Sequence, residues 1–185
     1  SYYQGKVYIP NKELMDQFDE MLRKETSLGY VYNLAKESEK MLQAVWCKDV
    51  SVMEQILSFA HNTETPILAY NNETELSAIV NLVFLSARDF YRVEREDKAG
   101  IGFVDFIFYP QQQGMPGIIL ELKVDHTPEE AIKQIKEKQY VLKFHGKLGE
   151  NFTVPEKILA VGIGYNKKDK KHHCKVESLE NIAAL

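Results

Sequence analysis

The segment Gly117-Ile-Ile-Leu-Glu-Leu-Lys-Val124 constrains this chain most, because it is apolar at nearly every position yet carries two opposite charges. Runs of this texture belong to strands inside a core. Side chains alternate along a strand, so Glu121 and Lys123 share one face, and Leu120, Leu122 and Val124 share the other. A second run, Gly102 to Tyr109, repeats the anomaly, with the single carboxylate of Asp105 set among apolar residues. Burying an ionised group without a partner is costly. A fold that accepts both strands must give these charges a partner.

The rest of the chain supplies the layers. A strand-like run, Tyr2 to Ile9, meets Pro10, and Asn11 fits a helix N-cap for Lys12 to Glu25, where Leu14, Phe18 and Leu22 recur at helical spacing. Further helices are expected over Leu28–Trp46 and Ser51–His61. The polar break Asn62–Pro66 divides the chain into an N-terminal helical segment, 1–65, and an α/β domain, 66–185. In the second part, Asn72 or Thr74 can cap a helix whose broad apolar face carries Leu76, Ile79, Val80, Val83 and Phe84. Strands follow at Tyr91–Glu96, Gly102–Tyr109 and Gly117–Val124. A helix is expected from Pro128 to about Phe144, then strands Lys157–Tyr165 and His172–Val176. This order predicts a mixed sheet with helices on both faces, in which a crossover through the Pro128 helix lays the fourth strand parallel to the third.

Composition narrows the class without choosing a function. A chain of 185 residues, 44% hydrophobic and 27% charged, can build an ordinary globular core. No stretch has the apolar length to cross a bilayer and no signal peptide heads the sequence, so a cytoplasmic setting is expected. Cys47 and Cys174 have no spacing that implies a zinc site or a disulfide framework. Net charge is −4, but residues 1–120 hold 11 basic and 17 acidic side chains whereas 121–185 hold 12 and 10. The skew permits a local basic surface. The start at Ser1 rather than methionine fits a piece of something longer.

A divalent cation shared by Asp105 and Glu121, with Lys123 beside it, would compensate the buried charges. Mg²⁺ or a similar hard ion takes carboxylate oxygens and keeps several waters. It can lower the pKa of a bound water and stabilise charge on phosphoryl oxygens, while Lys123 orients that water or neutralises developing charge. The helix from Pro128 offers Gln134 and Tyr140 as polar groups near the site, and the helix starting near Asn72 offers Glu75 as a third carboxylate. The competing reading is a structural ion pair of Lys123 with either acid.

Taken together, Gly102-Phe-Val-Asp105, Glu121-Leu-Lys123, Gln134 and Tyr140 resemble the signature of the PD-(D/E)XK nuclease superfamily, with Val104 in place of the proline. The nearest likeness is to a branch that follows AAA-ATPase-like regions in bacterial proteins, and Ile9-Pro-Asn-Lys-Glu13 resembles the junction between the two parts. The likeness runs from about residue 66 onward. It implies a restriction-endonuclease-like fold, a Mg²⁺ or Mn²⁺ site, and nucleic acid, DNA more than RNA, as partner. It makes Asp105 and Glu121 metal ligands, Glu75 the helix-borne acid, Lys123 the catalytic lysine, and Gln134 and Tyr140 supporting residues. No phosphate-binding P-loop occurs, so any ATPase lies in another region or subunit. The rival to a nuclease is a nucleic-acid-binding or interaction module of a larger AAA-ATPase-type protein. Other features read more plainly: Asn166–Lys171 as a polar hairpin loop, His172-His173-Cys174 as strand residues that cannot all face one ion, and His126 as a loop residue.

Overall fold

A computed structural model of the protein describes residues 2–3, 6–7, 26–64, 73–95, 104–138, 141, 144 and 155–180. The expected helix Lys12–Glu25 and the Ile9–Glu13 phrase lie outside the described residues, as do residues 65–72, where the expected division falls. The run expected as one strand from Tyr2 to Ile9 is instead two short strands, β1 (Tyr2–Tyr3) and β2 (Lys6–Val7), paired antiparallel with Tyr2 opposite Val7.

Helix α1 (Thr26–Cys47) and helix α2 (Val50–Glu64) form a tight pair. Lys48 adopts a left-handed conformation, φ 59°. The Asp49 N–H then reaches back to the Ala44 carbonyl at 2.8 Å, and the Asp49 side chain accepts the Val52 N–H at 3.2 Å. One residue thus closes α1 and the next caps α2. Helix α3 (Glu73–Val83) buries Leu76, Ile79, Val80 and Val83, and a 3₁₀ turn (Leu85–Asp89) leads into the sheet.

The sheet has five strands: β3 (Tyr91–Arg95), β4 (Phe106–Pro110), β5 (Gly117–Val124), β6 (Lys157–Asn166) and β7 (Lys171–Glu180), in that spatial order. All pairs are antiparallel except β5–β6, which is parallel and is bridged in the chain by helix α4 (Pro128–Glu137). The alternation expected for β5 is present. Ile118, Leu120 and Leu122 join one core with Met41, Val45, Leu57, Val80 and other side chains of α1, α2 and α3, while Ile119 faces α4 with Ile132 and Ile135. Each such buried aliphatic contributes roughly 1.5–3 kcal/mol, so the first two helices belong to the same core as the sheet. This is the mixed, two-sided α/β architecture expected from the sequence.

Three boundaries differ. Strand β4 begins at Phe106 rather than Gly102, leaving Asp105 in a bend just before it. Helix α4 stops at Glu137 rather than near Phe144, with the Lys138 N–H closing on the Gln134 carbonyl at 3.0 Å, although Val141 and Phe144 remain buried beyond it. Strand β7 runs four residues past Val176 because it pairs with the whole length of β6, Asn166 opposite Lys171 through Lys157 opposite Glu180.

Candidate active site

The β4–β5 ladder ends at Phe106 opposite Leu120, and beyond that rung the two strands part. Where β4 would continue, the Asp105 side chain takes over, its Oδ2 accepting the Leu122 N–H at 2.8 Å. A backbone donor on a core strand cannot be left unpaired cheaply, and here a carboxylate satisfies it. That bond fixes Asp105 against β5 at the level of Glu121.

Glu121 and Lys123 project from β5 toward the α4 side. Helix α4 is placed by its start: Thr127 accepts the Glu130 N–H at 3.3 Å, Pro128 fills the first turn, and Gly162 of β6 gives the Pro128 carbonyl room to approach. Gln134, two turns along, donates from Nε2 to Glu121 Oε1. The same oxygen accepts from Lys123 Nζ at 3.2 Å. On its other side, Lys123 lies 3.6 Å from Glu73 Oε1 at the start of α3.

Glu121 is only 3% exposed. Burial, and next the neighbouring Asp105 charge, push its carboxyl up to about 7, against the opposing pull of Lys123 and the Asp105 backbone N–H. Its second oxygen, Oε2, is buried with no hydrogen-bond partner among the described residues. Beside these groups opens a cleft of about 440 Å³ lined by Glu73, Lys123, His126, Lys133, Gln134 and Lys138, among others. The arrangement is two neighbouring carboxylates behind a polar cleft, with an ammonium that lines the cleft held between two acids.

Of the residues singled out in the sequence, Asp105, Glu121, Lys123 and Gln134 converge. Tyr140 lies outside the described residues, and Glu75 is on α3 with its side chain outside what is described. Among the described side chains, the acid of α3 at Lys123 is Glu73, two residues before Glu75. It is the phase of α3 against β5 that brings Glu73 to Lys123. Among the described residues no group of three or more His, Cys, Asp or Glu side chains is arranged to hold a metal ion, so Asp105 and Glu121 stand as a two-carboxylate set. The tandem His172, His173 and Cys174 divides as alternation requires, His172 and Cys174 inward and His173 exposed.

A mixed five-stranded sheet with helices on both faces, an aspartate where β4 parts from β5 and a Glu-X-Lys on β5 define a restriction-endonuclease-like α/β protein. A family model described as the PD-(D/E)XK nuclease superfamily matches residues 71–174, more than half of the chain, and the protein belongs to that superfamily. No curated protein matches the sequence. No described helix is long and apolar enough to cross a membrane.

Proposed function

We propose that this protein is a metal-dependent nuclease that hydrolyses phosphodiester bonds of nucleic acid, with DNA favoured over RNA. The observation that carries the reading is the state of Glu121. One of its oxygens is engaged by Lys123 and Gln134, while the other is buried with no hydrogen-bond partner among the described residues, beside a second carboxylate. Two acids side by side at a buried strand end repel each other unless a cation is shared. The all-oxygen donor set suits Mg²⁺ or Mn²⁺, which Asp105 and Glu121 would hold, with Glu75 as a further acid.

When bound, such an ion supplies an activated water and neutralises charge on the phosphoryl oxygens. The chain's own groups do the positioning. Gln134 fixes the Glu121 carboxylate, and the Leu122 N–H fixes that of Asp105. Lys123 can only donate hydrogen bonds, so its ammonium steadies the phosphoryl oxygen on which charge grows as water adds and the ester oxygen leaves. Glu73 keeps that ammonium at the cleft, and Tyr140 is assigned a supporting role. The division into a helical part, 1–65, and a nuclease domain, 66–185, belongs to the same proposal. So does action in the cytoplasm alongside an AAA-ATPase-like region or subunit, which the likeness of Ile9–Glu13 to such a junction supports.

The test is cleavage of plasmid DNA, single-stranded DNA and RNA with Mg²⁺ or Mn²⁺ by wild type, Asp105→Ala and Lys123→Ala, with Mn²⁺ binding measured by calorimetry in parallel. Each substitution should lower cleavage by about 100-fold or more, and Asp105→Ala should also weaken Mn²⁺ binding. Cleavage by the variants at the wild-type rate would refute a catalytic role and leave a non-catalytic nucleic-acid-binding module.

A further inference from the structure

Arg95 closes β3 on the α3 side of the sheet, and no carboxylate among the described residues lies within ion-pair distance of it. It pairs in the ladder with Phe106, the chain neighbour of Asp105. Its guanidinium lies over the Phe106 ring at 5.3 Å from the centroid, and its Nη2 donates to Ser77 Oγ at 2.6 Å. Arg92, three residues earlier on the same strand, is instead paired with Glu94 at 3.5 Å.

The supports for Arg95 and for Lys123 come from one stripe of one helix. Glu73 in the first turn of α3 approaches Lys123, and Ser77, one turn on, holds Arg95. Strand β3 stands two places from β5, roughly 10 Å away at ordinary strand spacing. Through Phe106, Arg95 stands in register with Leu120, three residues before Lys123, and α3 links the two cations, one partnered by acids and the other by a ring and a hydroxyl. A guanidinium has five N–H donors in a planar fork that matches two oxygens of a phosphate. Ser77 uses one donor, and the ring fixes the plane, so less side-chain freedom is lost when an anion arrives.

We propose that Arg95 is a substrate-binding residue whose guanidinium, held by Phe106 and Ser77, takes a phosphate of the nucleic-acid strand flanking the one hydrolysed at Asp105 and Glu121. The assignment rests on the nuclease reading above. A purely structural arginine would cover Phe106 and contribute nothing to affinity for phosphate, so affinity and its salt dependence separate the two.

The experiment measures binding of a short fluorescent DNA duplex by anisotropy across a salt series, with chelator present to prevent cleavage, and then kcat and KM with Mn²⁺. Arg95→Gln keeps a donor for Ser77 but loses the charge. It should weaken binding about tenfold and reduce the slope of log affinity against log salt by about 0.9, the value of one phosphate contact. Its kinetic loss should fall mainly on KM. Arg95→Lys should restore the slope but only part of the affinity, because an ammonium lacks the fork. Melting curves record any folding loss, and Arg95→Lys carries the test if Arg95→Gln does not fold. Wild-type affinity and slope in Arg95→Gln overturn the assignment while leaving the nuclease reading intact, and so does a wild type that binds no DNA. A reduced slope in Arg95→Gln, with Asp105→Ala cleaving like wild type, upholds the phosphate contact and removes the hydrolytic role.

Discussion

Gly162→Ala is the substitution that should show how the seating of α4 on the sheet controls the site. Gly162 pairs across β5–β6 with Glu121 and faces the start of α4. A Cβ there would lie 2.3 Å from the Pro128 carbonyl oxygen and 3.1 Å from Ala131 Cβ. Both obstacles are fixed, one being backbone and the other a methyl group on a capped helix. Helix α4 must therefore withdraw, by the better part of an ångström, to restore ordinary contact. Overpacking of this kind costs roughly 1–3 kcal/mol. For a chain of this length each kcal/mol lowers the melting temperature by about 2–4 °C, so calorimetry should record a fall of roughly 2–12 °C. The shift also moves Gln134 away from Glu121, so cleavage and Mn²⁺ affinity should fall too. Gly114→Ala is the control. It meets nothing within 4 Å, and its cost comes only from φ +83°, roughly 1–2 kcal/mol of backbone strain, with no effect on Mn²⁺ affinity. A Gly162→Ala protein that melts and binds Mn²⁺ like wild type would refute the claim that close seating of α4 positions the site.

Two further outcomes follow from the buried polar groups. Glu121→Gln replaces a carboxylate with a neutral group of the same shape, relieving a desolvation cost of roughly 1–3 kcal/mol. In chelator the variant should melt above wild type, whereas added Mn²⁺ should raise the melting temperature of wild type alone; an equal Mn²⁺ response in both would sink the two-carboxylate site. His172, packed against His61 and Tyr165, is held down to about 3 by burial first and then by the His61 and His173 charges, against a usual 6.5. Between those values the unfolded chain binds the extra proton, so stability rises with pH and is lost as pH falls below 6.5. At pH 5 the loss is roughly 2 kcal/mol. Urea melts at pH 7 and pH 5 should show that difference shrinking in His172→Phe, and an undiminished difference would contradict the burial argument.

What the sequence settled was local. Alternation along Gly117–Val124 placed Glu121 and Lys123 on one face, and the structure gives that strand the same two ends. The element order implied the mixed sheet, since a helix between two buried strands calls for a parallel crossover, and β5 and β6 are parallel. Gln134 was visible as a polar residue on a helix expected near the site, and it reaches Glu121.

What only the tertiary structure decided depended on contacts between distant residues. Asp105 reads in sequence as part of a strand, but the separation of β4 from β5 makes its side chain a substitute rung on Leu122. The approach of Glu73 to Lys123 depends on how α3 docks, which its own periodicity does not encode. The polar break after His61 reads as a boundary, and only the structure shows that α1 and α2 pack into one core with the sheet. Arg95 is an ordinary strand residue in sequence, and only the stacking on Phe106 and the bond to Ser77, eighteen residues back, reveal an oriented cation. Periodicity reports which face of an element is buried, and it carries no information about which other element does the burying.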